Sequence, residues 1–271
     1  MNKIIEPAFL KANMNKFIII DCRFKLGEPD YGKCAYEKGH IEGALFLDIE
    51  KFLAGPLSEH GGRHPLPDLD TFVKNMEPFG ISDSDELVVY DDGDLAGAGR
   101  LWWLFKYIGK ENVYVLNGGF EKWKTLDYGI SLTSIKSQEK TGVLSLNRQN
   151  HLLVDMNYVK SKLNNPDVIL VDSRASERYF GITEPVDRIG GHIPGAVSFP
   201  YLESLENYNA GKDNLKKYFS GLENKEIIVY CGSGVTGSAN ILFMEEAGLK
   251  PRLYAGSYSD WVSYEDNPVE K

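Results

Sequence analysis

The sequence predicts an α/β protein with two homologous domains, each a largely parallel β-sheet flanked by helices. Three observations lead to this prediction: the chain has 271 residues, short apolar strand candidates alternate with helical stretches, and four sequence blocks occur twice in the same order. A chain of this length accommodates two domains of ordinary size, each with its own core. Strands that alternate with helices are typical of βα units, in which the strands run parallel.

The repeated blocks set the correspondence between the two halves of the chain. The paired segments are residues 18–23 and 169–174 (a D-x-R strand), 39–44 and 191–196 (G-H-I-x-G-A), 87–91 and 227–231 (a V-Y strand end), and 118–123 and 256–261 (a glycine turn leading to tryptophan). Within each copy we expect the first three blocks to supply successive elements of the sheet. A polar, poorly periodic stretch separates the copies. We therefore predict a first domain over residues 1–135, a linker over 136–147 and a second domain over 148–271.

Composition narrows the classes of partner. The chain is 42% hydrophobic and 12% aromatic, which fits packed globular structure. Its net charge of −9, from 39 acidic and 30 basic residues, argues against nucleic acid or an anionic membrane surface as the main partner. No apolar run approaches the roughly 20 residues that span a bilayer. Three cysteines without a C-x-x-C pair suit a reducing compartment, so we expect a cytoplasmic protein.

Cys231 is the strongest candidate for a reactive residue. It follows a predicted strand over residues 226–230 and precedes a loop of small residues and a predicted helix over 239–247. Backbone N–H groups converge at such a turn, and a helix N-terminus favours negative charge, which can lower the pKa of a thiol from ~8.5 to ~3.5–7.5. A buried, unreactive cysteine in a tight turn is the alternative interpretation.

The first copy carries Asp91 at the position of Cys231. A carboxylate cannot act as a sulfur nucleophile, so the first domain is predicted to be catalytically inactive. For Asp91 and the neighbouring Asp92, the expected environment is a solvated loop end.

The duplicated blocks and the loop C-G-S-G-V-T at residues 231–236 resemble the tandem-domain rhodanese family, specifically its 3-mercaptopyruvate sulfurtransferase branch. The resemblance extends from about Ile18 to Trp261. It implies that Cys231 takes sulfur from a small anionic donor, becomes a persulfide, and passes the sulfur to a thiol acceptor such as thioredoxin or glutathione, or to cyanide. With 3-mercaptopyruvate as donor, pyruvate is released. Neither a metal nor an organic cofactor is expected.

The resemblance also implies roles for residues outside the cysteine. Arg178 and Arg188 would bind the donor carboxylate through charge-assisted hydrogen bonds, and the alternative is a surface pair balanced by nearby acids. Ser233, His64 and Glu50 would form a chain that protonates the leaving enolate or polarises the carbonyl. A locally packed loop histidine is the alternative for His64. The small loop residues would line the donor site: Gly232, Gly234, Val235 and Thr236.

Several other functions were weighed from the same residues. A zinc site at His60 and His64 is disfavoured because two glycines separate them and a proline follows. A cysteine phosphatase needs arginine at the sixth position after its cysteine, and this chain has Gly237 there. Thiosulfate:cyanide sulfur transfer as the main activity and a non-catalytic sulfur-carrying or partner-binding module remain the alternatives to sulfur transfer from 3-mercaptopyruvate.

Overall fold

The computed structural model describes residues 2–133 and 141–271 and divides the chain into two compact units. The first unit comprises Met1–Gly55 and Leu66–Gln149, and the second comprises Pro56–Pro65 and Asn150–Lys271. A ten-residue segment of the first sequence copy, residues 56–65, is thus grouped with the second unit. Part of the predicted linker, residues 136–140, lies outside the described residues, and the boundaries at 135 and 148 remain predictions.

The first unit is built around a parallel sheet with helices in the connections. Its strands are β1 (Ile4–Ile5), β2 (Phe17–Asp21), β3 (His40–Ile41), β4 (Leu45–Phe46), β5 (Glu86–Tyr90), β6 (Val113–Leu116) and β7 (Ile130–Ser131). Its helices are α1 (Pro7–Asn13), α2 (Tyr31–Lys38), α3 (Ile49–Phe52), α4 (Leu69–Met76), α5 (Ala96–Tyr107) and α6 (Gly119–Thr125), with short 3₁₀ helices over Met14–Lys16 and Glu77–Phe79.

The second unit repeats this organisation. Its strands are β8 (Leu153–Val154), β9 (Val168–Asp172), β10 (Val197–Ser198), β11 (Glu226–Tyr230) and β12 (Arg252–Tyr254). Its helices are α7 (Met156–Ser161), α8 (Ser176–Tyr179), α9 (Tyr201–Asn209), α10 (Lys212–Tyr218), α11 (Val235–Glu246) and α12 (Ser257–Trp261), preceded by a 3₁₀ turn over Asn150–Leu152.

The two five-stranded sheets have the same strand order, which confirms the duplicated α/β fold. The first runs β1-β6-β5-β2-β4 and the second β8-β12-β11-β9-β10, and neighbouring strands within both pair in parallel. The register also matches, because Asp21 pairs with Tyr90 in one sheet and Asp172 with Tyr230 in the other. β5 and β11 are the middle strands. Ligands bind at the carboxyl ends of strands in open parallel sheets. The residue that follows each middle strand is therefore at the edge where we expect a binding site.

Two details differ from the sequence-based expectation. The G-H-I block does not supply a strand of the main sheet, because His40–Ile41 pairs antiparallel with Ile130–Ser131 in a separate ribbon, and Leu45–Phe46 joins the main sheet instead. The helix after the cysteine begins at Val235 rather than Ala239. Residues 236–238 are small and are compatible with the first turn of a helix. The helix therefore begins before them, although their composition favours a loop.

Each unit has its own core. Trp123 and Trp261, at matched positions of the repeat, are fully buried in the first and second unit respectively, as expected for core anchors. Among the described residues, no helix combines the length and the apolar composition that a membrane-spanning segment requires.

Candidate active site

Cys231 lies directly after the middle strand β11, where the chain turns into α11. Gly234 makes this turn with a φ of +80°, and a Cβ there would lie 2.4 Å from the carbonyl oxygen of Ala255. Only glycine fits such a left-handed, crowded position. The Gly234 N–H donates to the Cys231 Sγ at 3.1 Å, and Cys231 is 1% exposed. The sulfur thus accepts a backbone N–H directly before the N-terminus of α11.

The other predicted loop residues surround the same turn. Val235 and Thr236 form the first turn of α11, where N–H groups have no partner inside the helix. Gly232 follows the cysteine, and its carbonyl accepts the N–H of Ser259 at 3.0 Å. Donor binding by these residues and by Gly234 remains a prediction.

Ser257 contacts the cysteine and was not identified from the sequence. Its Oγ accepts the Cys231 N–H at 3.1 Å and lies 4.0 Å from the Sγ. It holds a φ of +58°, which is uncommon for a residue other than glycine. The matching residue in the first copy is Gly119, with a φ of +52°. A serine in one copy where the other has glycine was the sequence signal that could have singled out Ser257.

Ser233 and His64 are brought together, as the resemblance implied. The His64 Nδ1 lies 2.8 Å from the Ser233 Oγ, and the two residues are 9% and 8% exposed. The contact joins residues 169 positions apart in the chain. It forms within the second unit, because His64 belongs to the segment 56–65 that packs there.

Three further residues, His60, Gly61 and Arg63, hold the segment 56–65 on the second unit. The His60 ring stacks on Tyr264 with ring centroids 3.9 Å apart, and its Nδ1 lies 2.8 Å from the Oγ of Ser263. The Gly61 N–H donates to Asp260 Oδ1 at 2.7 Å. The Arg63 N–H donates to Ser259 Oγ at 3.1 Å.

Gly62 allows the closest approach of this segment to the second unit. Its φ is +81°, and a Cβ at this position would lie 2.3 Å from the carbonyl oxygen of Gly256. The backbone of the segment can therefore lie against the turn that precedes α12 only because residue 62 has no side chain.

Glu50 belongs to the first unit. It is exposed, in the first turn of α3, and its N–H donates to the Oδ1 of Asp48 at 2.9 Å. Its participation in a chain with Ser233 and His64 remains a prediction.

The two arginines that were predicted to bind the donor carboxylate differ in their hydrogen-bond partners within the protein. Arg178, on α8, donates through Nε and Nη2 to Glu184 and through Nη2 to Asp187 at 2.8 Å. Arg188 is exposed and donates through Nη2 to the carbonyl oxygen of Val262 at 2.8 Å. The balancing acids proposed in the alternative interpretation are therefore real partners of Arg178, while Arg188 contacts a backbone oxygen.

Arg63 is a second residue that sequence reasoning missed. It forms an ion pair with Asp187 through Nη1. A Cβ built on Gly232 would lie 2.8 Å from the Arg63 Nη2 and 3.4 Å from the Arg178 Nη1. The cysteine loop itself carries no charged residue, yet two guanidinium groups border it at Gly232. No local signal identifies Arg63, because the contact depends on where the segment 56–65 packs.

The two acids beside these arginines have pKa values that are shifted in opposite directions. Burial raises the pKa of Asp187 above its usual value, and the attraction of Arg63 and Arg178 offsets only part of this effect. For Glu184, burial also acts to raise the pKa, but hydrogen bonds from Arg178 and from two backbone N–H groups outweigh it, so the net shift is downward.

The equivalent turn of the first unit contains a buried carboxylate. Asp91 is 3% exposed and accepts the N–H groups of Gly93 at 2.9 Å, Leu95 at 3.1 Å and Ala98 at 3.0 Å. The expectation of a solvated loop end is therefore wrong for Asp91, because three backbone donors draw it inward. Burial and the charge of Asp94 raise its pKa to about 7, although the three N–H groups act in the other direction.

The two histidines weighed as zinc ligands have serine partners, His60 with Ser263 and His64 with Ser233. Over the described ranges 2–133 and 141–271, no cluster of three or more His, Cys, Asp or Glu side chains is arranged to hold a metal ion.

Comparison with known proteins places the chain in a family. The family model for the rhodanese-like domain matches residues 6–126 and 155–264. A Pseudomonas aeruginosa protein named "Probable 3-mercaptopyruvate sulfurtransferase" is 38% identical over 93% of this chain and 91% of its own length. The 3-mercaptopyruvate sulfurtransferase of Escherichia coli K12 is 34% identical over 93% and 91% of the two chains. The crystal structure of SseA from Escherichia coli, a 3-mercaptopyruvate sulfotransferase, superimposes with a TM-score of 0.82 at 28% identity, covering 96% of this chain and all of the other.

The chain belongs to the rhodanese family, with one rhodanese-like domain in each half. It is an enzyme of the sulfurtransferase class, which takes sulfur from a donor and passes it to an acceptor.

Proposed function

We propose that the enzyme transfers sulfur from 3-mercaptopyruvate to an acceptor through a persulfide on Cys231 and releases pyruvate. The observation that carries the choice of donor is the 2.8 Å distance between the His64 Nδ1 and the Oγ of Ser233. Ser233 lies two residues after Cys231 in the chain. An α-keto acid donor needs a proton and a polarised carbonyl when its carbon–sulfur bond breaks, and a serine–histidine pair can supply both.

In the first half-reaction the Cys231 thiolate attacks the thiol sulfur of the donor. A sulfur–sulfur bond forms, the carbon–sulfur bond breaks, and its electron pair goes to the methylene carbon as the pyruvate enolate. A proton equivalent to that of the donor thiol then reaches this carbon and gives pyruvate. The N–H of Gly234, 3.1 Å from the Sγ, supports the attacking thiolate. His64, acting through the Ser233 hydroxyl, is the proposed carrier of the proton.

In the second half-reaction an acceptor attacks the outer sulfur. A thiolate takes this sulfur and becomes a persulfide, while cyanide becomes thiocyanate, and in both cases the electron pair of the broken sulfur–sulfur bond returns to Cys231. The free enzyme is thereby regenerated, which gives ping-pong kinetics. We propose a thiol such as thioredoxin or glutathione, or cyanide, as the acceptor.

Arg178 and Arg188 are the proposed ligands of the donor carboxylate. Arg178 uses Nε and Nη2 on Glu184 and Asp187, so its Nη1, on the side of Gly232, is the atom left for the donor. Arg188 is exposed and would have to exchange its bond to Val262 for one to the donor. Charge-assisted hydrogen bonds of this kind orient a carboxylate as well as binding it.

Steady-state kinetics with 3-mercaptopyruvate and with thiosulfate test the donor. We expect a larger kcat/KM with 3-mercaptopyruvate, release of pyruvate, and a gain of one sulfur atom in the intact mass of the wild type but not of Cys231→Ser. A large preference for thiosulfate would identify the thiosulfate:cyanide activity instead. An unchanged mass after treatment with either donor would identify a non-catalytic module.

We also propose that the enzyme works in the cytoplasm. The mechanism requires a reduced thiol at Cys231, and Cys22, Cys34 and Cys231 are all free, as is usual in a reducing compartment. Cell fractionation with an antibody to the protein tests this location.

A further inference from the structure

Arg23 is buried in the first unit, and one nitrogen of its guanidinium group has no partner among the described residues. Its side chain is 4% exposed. Its Nε and Nη2 donate to the carboxylate of Asp21, and Nη2 also donates to the carbonyl oxygen of Gly39 at 2.7 Å. No hydrogen bond or ion pair within residues 2–133 and 141–271 involves its Nη1. A donor removed from bulk water is costly to leave unpaired, so this atom marks a place where an acceptor would be favourable.

Arg174 has the same position in the second unit, and there the corresponding nitrogen is occupied. Arg174 donates through Nε and Nη2 to Asp172, and through Nη2 to the carbonyl oxygen of Gly191. These bonds reproduce those of Arg23. The difference lies at Nη1, which in Arg174 donates to the Oε2 of Glu184 at 3.2 Å. The second unit thus places a carboxylate on this nitrogen, and the described part of the first unit does not.

The sequence explains why the first unit lacks this carboxylate. In each copy the O–H of a tyrosine, Tyr36 or Tyr179, donates to the last carbonyl oxygen of the G-H-I-x-G-A block at 2.6 Å. Between this tyrosine and the block, the second copy has residues 180–190, whereas the first copy has only residues 37–38. Glu184 belongs to the longer segment. The first copy therefore has no residue that corresponds to Glu184.

A cavity of about 360 Å³ lies beside Arg23 in the first unit. Its volume is sufficient for a small molecule. Lys38 also lines the cavity, is exposed, and has no side-chain hydrogen bond or ion pair with another described residue. Phe120 and Ile130 add apolar walls. Because the other nitrogens of Arg23 are already bonded, Nη1 is the nitrogen left to face the cavity.

Two acids line the same cavity, and both have partners in its wall. Asp92 accepts the O–H of Tyr31 at 2.9 Å. Glu121 forms an ion pair with Lys124 at 2.7 Å. The charged groups of the described lining that remain available to a ligand are therefore cationic, and they favour an anion.

We propose that the first unit binds a short-chain aliphatic carboxylate in this cavity. One carboxylate oxygen accepts the Nη1 of Arg23, as Glu184 does from Arg174, and the flexible ammonium group of Lys38 pairs with the other oxygen. The hydrocarbon part of the ligand packs against the apolar walls. All the lining residues belong to the unit without the reactive cysteine, so the site is independent of the donor that Cys231 uses.

Arginine side-chain NMR of the ¹⁵N-labelled full chain tests the contact at Nη1. We expect sodium butyrate, added at constant ionic strength, to cause a saturable shift of the Arg23 guanidinium signals. Arg174 is an internal control, because Glu184 already occupies its Nη1 and its signals should stay unchanged. Butyramide has nearly the same shape without the charge and should shift neither arginine. The absence of a saturable shift at Arg23 would overturn the proposal. Equal shifts of the two arginines, or equal effects of butyrate and butyramide, would overturn it as well.

Lys38→Gln tests the second cation, and Lys33→Gln is its matched control. Lys33 lies on the same helix, α2, and is exposed, but it does not line the cavity. Loss of an exposed ion pair predicts that the dissociation constant of butyrate, taken from the Arg23 shifts, rises about three- to fivefold in Lys38→Gln. In Lys33→Gln it should stay close to the wild-type value. Both side chains are exposed, so both variants should fold, which a thermal melt verifies. Equal changes in the two variants would trace binding to general charge attraction and would overturn the assignment of Lys38 to the site.

Discussion

Asp91→Asn is expected to make the stability of the first unit less dependent on pH. Asp91 occupies in the first unit the position that Cys231 has in the second, and it is buried and accepts three backbone N–H groups. Burial and the charge of Asp94 raise its pKa to about 7. An asparagine has the same shape but carries no charge at any pH, so it removes the titration and keeps the volume.

The sign of the effect follows from the direction of the shift. In the unfolded chain the pKa is about 4. As pH rises from about 4 to about 7, the unfolded chain releases the proton while the folded chain retains it, so stability falls, and above about 7 the difference is constant. The difference between a pKa of about 4 and one of about 7 corresponds to roughly 4 kcal/mol in full, of which about 2 to 3 kcal/mol develops between pH 5 and pH 8.

Urea denaturation followed by tryptophan fluorescence measures this difference. Trp102, Trp103 and Trp123 are buried in the first unit and Trp261 in the second, so the signal reports mainly on the first. The asparagine amide nitrogen would face the Ala98 N–H at a cost of about 1 to 3 kcal/mol, largely independent of pH. We therefore expect the stability of Asp91→Asn relative to the wild type to rise by about 2 to 3 kcal/mol from pH 5 to pH 8.

Asp94→Asn is the matched control for the contribution of charge. It removes the second cause of the raised pKa and leaves Asp91 buried, so the wild-type pH dependence should weaken without disappearing. Parallel curves for Asp91→Asn and the wild type would refute the reasoning. So would a wild type that gains stability relative to Asp91→Asn as pH rises, because the three N–H donors would then outweigh burial and keep Asp91 ionised.

Three further substitutions test the geometry around the cysteine. His64→Ala should lower kcat for 3-mercaptopyruvate by about 10²- to 10⁴-fold. The rate of sulfur transfer from a preformed persulfide to cyanide, measured as thiocyanate, should stay close to that of the wild type. Equal losses in both half-reactions would contradict the proton-carrier role. Ser257→Gly accepts the positive φ but loses the hydroxyl that receives the cysteine N–H, so the rate of persulfide formation in stopped-flow should fall about tenfold, and an unchanged rate would make Ser257 a spacer only. In Gly62→Ala the new Cβ would lie 2.3 Å from the Gly256 carbonyl oxygen, whereas residue 27 has nearly the same φ and no atom within 4 Å of a Cβ. We expect kcat to fall in Gly62→Ala and not in Gly27→Ala. Equal effects in the two variants would trace the loss to backbone strain.

Features that depend on residues close together in the chain, such as strands and repeated motifs, could be predicted from the sequence. The predicted strand over 226–230 is confirmed, and the repeat predicted the shared topology of the two sheets and the correspondence of Asp91 with Cys231. Contacts that depend on long-range packing could not be predicted in the same way. The position of Arg63 beside Gly232 follows from where residues 56–65 pack, and the contact that Ser257 makes with Cys231 depends on how the turn before α12 meets the cysteine. The family resemblance supplied the pairing of His64 with Ser233, which the residues by themselves do not encode.

The turns after the two middle strands hold different side chains, and on the proposed function this difference is a physical reason for the first copy to be inactive. In the first unit the turn after the middle strand directs three backbone N–H groups inward, and Asp91 occupies them with its own tethered carboxylate. A substrate anion there would have to displace a group that cannot diffuse away. In the second unit the sulfur of Cys231 takes one N–H, from Gly234. On the proposed function, catalysis then requires a thiol in this turn together with the segment that brings His64 to Ser233. Replacing Asp91 with cysteine would therefore supply the nucleophile without the proton carrier.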